Sequence, residues 1–131
     1  MTRTSIGAAH LAVARVPLMF ARPQLAPPSW VAEQRRLGTV PHHLSTTLAA
    51  LRAQIGPFGQ RRVLLDALPQ LQIPTLILWG AQDKVLPVSQ ARTAVARLRH
   101  GRLVIVPHCG HVPHLERHGH FLDALHAFDA P

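Results

Sequence analysis

What the chain lacks narrows its function first. It has one cysteine, Cys109, and no tyrosine among its 131 residues. A single cysteine excludes an intrachain disulfide framework, and a reducing, cytoplasmic location is the expectation that follows. Aromatic residues amount to 5% and are not interleaved with basic ones, so no stacking platform for nucleic acid is built. Acids are scarce too, with 6 Asp and Glu against 14 Lys and Arg, a formal net charge of +8. Such an excess can serve nucleic acid or an anionic surface, yet the arginines are scattered and no basic run forms a tail or patch. No clean apolar run long enough for a membrane span occurs either. The early stretch from Ile6 to Phe20 is broken by His10, Arg15 and Pro17. The segment before Glu33 holds no acid and resembles a transit peptide in composition, but no convincing cleavage site follows it. A mobile or packed N-terminal arm is expected there, with neither nucleic acid nor membrane as partner.

What is present points to a folded chain. Hydrophobic residues make up 47%, which disfavours wholesale disorder, and the length suits one domain at most. The sequence changes character near Leu68. Residues 1–67 are rich in proline and helical in flavour. A helix from Ala8 is expected to stop at Pro17. Ser29 offers an N-cap for a helix from Trp30 to Leu37. Leu44, Leu48, Leu51 and Ile55 fall at helical spacing, and Gly56-Pro57 should end that helix. Gln60 to Leu68 is a further short helical candidate.

Residues 68–131 alternate between strand and helix signals. Thr75 to Trp79 and Leu103 to Val106 are unbroken apolar runs, the pattern of strands covered on both faces of a parallel sheet. Between them, Val88, Ala91, Val95 and Leu98 mark one face of a helix from Val88 to Arg99, with Gly101 as its stop. Phe121, Leu122, Leu125 and Phe128 mark a last helix. The order is that of an α/β protein, a parallel sheet flanked by helices.

Two loops leave the carboxyl ends of those strands, where open α/β sheets place their sites. The first reads Trp79-Gly80-Ala81-Gln82-Asp83. The second reads Pro107-His108-Cys109-Gly110-His111-Val112-Pro113-His114-Leu115-Glu116. With the strands before them, Ile73 to Pro87 and Val104 to Glu116 resemble the last two core strands and loops of the α/β-hydrolase superfamily. The motifs stand in that family's order, acid before histidine, 28 positions apart. The close resemblance runs from Leu68 to Phe128, while residues 8–67 resemble the family's helical cap only in a general way.

The resemblance implies a C-terminal portion of an α/β-hydrolase, preceded by a cap-like segment. It implies catalytic roles for Asp83 and His111. Asp83 would fix the tautomer of His111 and stabilise its imidazolium, and His111 would shuttle the proton of a nucleophile. Gly80 would let the strand turn, and Gly110 would allow close backbone approach. No cofactor or metal is implied, because such triads need none, and the substrate expected of the intact protein is a small ester-like molecule. Plainer readings exist for each residue. An Asp in this setting is often a turn-capping residue, Cys109 a buried filler, His108 and His114 rim residues, and Glu116 the start of the last helix.

The nucleophile is the missing part. Ser5, Ser29, Ser45 and Ser89 are the four serines, and none lies in a G-x-S-x-G elbow. Two strands leave apolar faces and an unpaired edge, so an incomplete hydrolase that self-associates or needs a complementing chain is expected. The alternative is a non-catalytic remnant that binds another chain by strand addition.

Overall fold

The computed structural model describes residues 13–57, 59–61 and 63–130. Expectations for residues 1–12, including Ser5 and the proposed arm, lie outside them. The chain forms two compact units. The first comprises Pro27–Leu64 and, among the described residues, 13–15. The second comprises Val16–Ala26 with Leu65–Pro131. The sequence reading had a single divide near Leu68, whereas Val16–Ala26 here belongs with the C-terminal residues.

In the first unit, α2 (Pro28–Thr39) and α3 (His43–Gln54) are followed by two short antiparallel strands, β1 (Ile55–Gly56) and β2 (Gly59–Gln60). Helix α2 does not begin at a Ser29 cap. Pro27 occupies the N-cap and Pro28 the first helical position, where a missing N–H costs nothing and a fixed φ favours the helix. Helix α3 forms where the leucine spacing predicts. Its apolar stripe stays exposed, with Leu44 at 43%, Leu48 at 39% and Leu51 at 49%, and Ile55, which opens β1, is exposed as well at 52%. On α2, Glu33 and Arg36 make a bidentate surface ion pair at 2.7 Å.

The second unit holds α1 (Val16–Met19), the 3-10 turns Pro23–Leu25 and Leu65–Gln70, β3 (Thr75–Gly80), α4 (Val88–Val95), β4 (Gly101–Val106), α5 (Pro113–Glu116) and α6 (His118–Asp129). Pro17 lies in the first turn of α1, a position where its ring is tolerated, and the helix expected from Ala8 falls largely outside the described residues. The helix expected over Gln60–Leu68 is replaced by β2 and a 3-10 turn with Pro69 inside it, a residue that cannot sustain an α-helical interior. Strands β3 and β4 are parallel and in register from Thr75↔Gly101 to Gly80↔Val106. Helix α4 makes the crossover, ending earlier than the spacing predicts, and Gly101 opens β4. A Cβ at Gly101 would lie 2.6 Å from the Leu98 side chain, which accounts for a glycine at that helix-to-strand junction.

Every buried residue among those described belongs to this second unit: Val16, Phe20, Gly80, Ala91, Val106, Cys109, Gly110, Val112, Glu116 and Ala124. The core therefore gathers at the carboxyl ends of the two strands, below the two motif loops. Arg97 pairs with Asp66, Arg99 Nε donates to the Pro69 carbonyl at 2.8 Å, and Arg102 donates to the Ala127 carbonyl at 2.6 Å. The first two contacts tie the Leu65–Gln70 turn to the segment between α4 and β4, and the third ties β4 to α6. No helix among the described residues is long and apolar enough to cross a membrane.

Candidate active site

The loop after β3 is shaped by its own hydrogen bonds. Ala81 N donates to the Val106 carbonyl and Gln82 N to the Cys109 carbonyl, both at 2.9 Å, so this loop is sewn to the histidine loop. Asp83 Oδ1 accepts the N–H groups of Val85 at 2.8 Å and Leu86 at 3.0 Å. The indole N–H of Trp79 donates to the Leu86 carbonyl at 3.2 Å. Asp83 is thus a turn-capping residue, as the plain reading had it. Its second oxygen does something more. Oδ2 lies 2.8 Å from His111 Nδ1, with the Asp83 side chain 4% exposed and that of His111 29%.

That geometry fixes the proton. A carboxylate oxygen only accepts, so Nδ1 carries the hydrogen and Nε2 is left with a lone pair in the neutral ring. Among the described residues no hydrogen-bond partner of Nε2 is found. The ring borders a pocket of about 170 Å3, walled by Leu78, Trp79, Leu86 and Pro113 together with Gly80, Asp83 and His111. The volume is below the ~300–1,000 Å3 of whole ligand sites, and the walls are mainly apolar.

The histidine loop is positioned by close backbone packing. His108, directly after Pro107, adopts a left-handed conformation with φ of 51°, an uncommon state for a non-glycine residue that turns the chain sharply. Arg117 Nε donates to the His108 carbonyl at 3.2 Å. A Cβ at Gly80 would stand 1.9 Å from the Gly110 carbonyl oxygen, and one at Gly110 would stand 2.6 Å from Ala21 N and 2.7 Å from the Met19 oxygen. The two glycines therefore permit three backbone segments to stack in van der Waals contact. Gly80 works through this close approach rather than through an unusual φ. His111 N completes the stack by donating to the Met19 carbonyl at 2.8 Å.

Glu116, read from the sequence as a helix start, is instead buried and accepts three backbone N–H groups. Oε2 takes Gly110 at 2.7 Å and Ala21 at 3.1 Å, and Oε1 takes Arg22 at 2.8 Å. Burial pushes the neighbouring Cys109 thiol up from 9.0 to about 11, the negative charges of Glu116 and Asp83 adding to the effect against Arg117. A thiol so held is a poor nucleophile, in keeping with a buried filler. His114 lies near Phe121, ring centroids 6.1 Å apart. Among the described residues no Ser, Thr or Cys side chain lines the pocket. Ser89 sits in the first turn of α4, and Ser29 and Ser45 lie in the other unit. No group of three or more His, Cys, Asp or Glu side chains among the described residues is placed to hold a metal.

Parallel strands crossed by a helix, with an Asp–His pair at their carboxyl ends, define an α/β protein with its site at the usual end of the sheet. A sequence model of the Alpha/beta hydrolase family matches residues 3–124, and the chain belongs to that family. Monoacylglycerol lipase abhd6-B of Xenopus laevis is 39% identical over 57 residues, 44% of this chain and 17% of that protein. An uncharacterized protein of Mycobacterium tuberculosis is 35% identical over 79 residues, 60% of this chain and 23% of the relative. Among solved structures, a membrane phospholipase A described as a bacterial virulence factor superposes with a TM-score of 0.69 at 25% identity, over 93% of this chain and 39% of that one. The 2-hydroxy-6-oxo-6-phenylhexa-2,4-dienoate hydrolase from Rhodococcus sp. strain RHA1 gives 0.73 at 18% identity, over 92% and 43%, a likeness of fold alone. The matched stretches span about a fifth of these curated relatives and under half of these solved chains.

Proposed function

We propose that this chain supplies the acid and the base, Asp83 and His111, of a serine-type α/β-hydrolase, and that the nucleophile comes from a segment outside it. The observation that carries the reading is the 2.8 Å contact between His111 Nδ1 and Asp83 Oδ2, made beside an apolar pocket. With Nδ1–H directed at the carboxylate, Nε2 is free to accept a proton from a serine hydroxyl as its oxygen attacks a carbonyl carbon. The imidazolium so formed rests against Asp83 and then protonates the leaving alcohol. A water activated by the same ring releases the acid. None of these steps calls for a cofactor.

The apolar walls formed by Leu78, Trp79, Leu86 and Pro113 favour a carboxylic ester with an apolar group next to the scissile bond. Relatives named as monoacylglycerol lipases support the same class. Alone, the chain is expected to be inactive, and a complementing segment or chain is its natural partner. In a hydrolytically competent protein, His111→Ala should abolish ester turnover while the circular dichroism spectrum stays unchanged. Turnover undiminished by that substitution would sink the assignment.

The exposed apolar side chains Leu122 and Leu125 on α6 and Leu71 and Ile73 before β3 favour a second reading. In it, the chain is a non-catalytic remnant that binds another chain through strand addition. Stable binding with no hydrolysis, unaltered by Asp83→Asn, is its signature.

A further inference from the structure

We infer that Glu116 is a positioning residue for His111, holding the histidine loop through backbone hydrogen bonds. This rests on the reading of His111 as the base. The carboxylate lies among three N–H donors from two distant stretches of chain. Gly110, which donates at 2.7 Å, is the residue directly before His111. Ala21 and Arg22, which donate at 3.1 Å and 2.8 Å, follow Met19 and Phe20 in sequence. The Met19 carbonyl accepts the His111 N–H, and Phe20 is fully buried.

The imidazole backbone is therefore held on both sides by one clasp. Glu116 fixes Gly110 directly, and through Ala21 and Arg22 it fixes the strap whose Met19 oxygen holds His111. The opposite wall is Gly80, whose missing Cβ leaves room for the Gly110 carbonyl. Charge-assisted bonds of this kind are short and directional, and their donors would be left without partners if the carboxylate were removed. Helix α5 delivers Glu116 from the end of the histidine loop itself, so the loop is closed by its own last residue. The 2.8 Å approach of Nδ1 to Asp83 needs the ring placed within a few tenths of an ångström, and the clasp is the contact set that does this. Glu116 touches no reacting atom and acts only through His111.

The test is spectroscopic and needs no substrate. Histidine rings in the 131-residue chain are labelled with 15N and their proton–nitrogen correlations recorded for the unsubstituted chain and Glu116→Gln. The amide keeps the shape but turns one acceptor into a donor facing an N–H. The expected result is a single low-field Nδ1–H signal for His111 in the unsubstituted chain. In Glu116→Gln that signal should be lost or mixed with the other tautomer, with β3 and β4 amide shifts retained, and Glu116→Asp should recover part of it. An unchanged His111 signal in folded Glu116→Gln would overturn the proposal.

Should the variant not fold, hydrogen exchange of the unsubstituted chain decides. The Gly110, Ala21 and Arg22 amides should be protected to within roughly tenfold of the β4 amides, and free exchange at these three with β4 protected would overturn it. In a competent hydrolase, Glu116→Gln should lower kcat by roughly tenfold to a hundredfold with KM little changed. An unperturbed ring ends the positioning role and leaves the hydrolase reading standing, whereas indifference of turnover to His111→Ala ends that reading and leaves the ring result intact.

Discussion

The two units contain comparable helices and opposite interiors. In the first, α3 carries Leu44, Leu48 and Leu51 at helical spacing, and all three are exposed. In the second, α4 has the same kind of stripe, and its Ala91 is fully buried. Amphipathic spacing is equally good in both. What differs is the strand pair on offer, two residues to a strand in β1 and β2 against six in β3 and β4. Parallel β3 and β4 give α4 a surface, and the glycines at 80 and 110 let backbones close on one another around Phe20, Val106 and Cys109. A helical stripe is thus a statement about what the chain is able to bury, and the core forms only where a partner surface exists.

The largest expected effect that sharpens this contrast is at Phe20. Its side chain is wholly buried, so Phe20→Ala should destabilise the second unit by about 3–5 kcal/mol, read from a denaturant midpoint. A change below about 1 kcal/mol would mean the strap is not part of the core. Next comes Gly80→Ala. The added methyl would meet the Gly110 carbonyl at 1.9 Å, a backbone clash that costs about 1–3 kcal/mol or more. It should also disturb the His111 ring signals, which a purely local strand effect would spare.

Alkaline pH gives a smaller, reversible effect. The Cys109 thiol keeps its proton in the folded state up to about 11, against 9.0 when free, through burial first and the Glu116 charge second. The folded form binds the proton more tightly than the unfolded form, so this contribution is whole below pH 9.0 and declines as pH rises toward about 11. Urea midpoints taken across that window should fall in wild type and fall less in Cys109→Ala. The smallest effect belongs to the first unit. Leu48→Ser on the exposed stripe should change stability by no more than about 0.5 kcal/mol. A loss several times larger would show that the stripe is covered after all and would erase the contrast.

These differences also explain what was legible in the sequence. Asp83 and His111 were readable because each sits in a short motif just after an apolar strand, and the contact follows from the parallel register of the two strands. The turn cap and the histidine partner are rival readings of Asp83 in the sequence, and the structure shows one carboxylate serving both, Oδ1 capping the turn while Oδ2 reaches the histidine. The strap from Val16 to Ala26 was not. It meets Glu116 across more than ninety positions, and its contacts are made by backbone N–H groups and a carbonyl that every residue possesses. Glu116 was missed for the same reason. A carboxylate near a helix start has an ordinary local explanation, and nothing local announces donors from Ala21 and Arg22. Helix α2 was placed but mis-started, because Ser29 competes as a cap with a proline pair better suited to the first turn. Nor does any spacing reveal that the α3 stripe lacks a cover.

The most direct test of the central claim, that this chain carries an acid and a base without their nucleophile, is an intact-mass measurement. The 131-residue chain is treated with a fluorophosphonate that phosphonylates activated serines. The account predicts an unchanged mass for this chain, and in a hydrolytically competent protein a single adduct on a serine outside it that disappears with His111→Ala. An adduct on Ser29, Ser45 or Ser89 that depends on His111 would contradict the account.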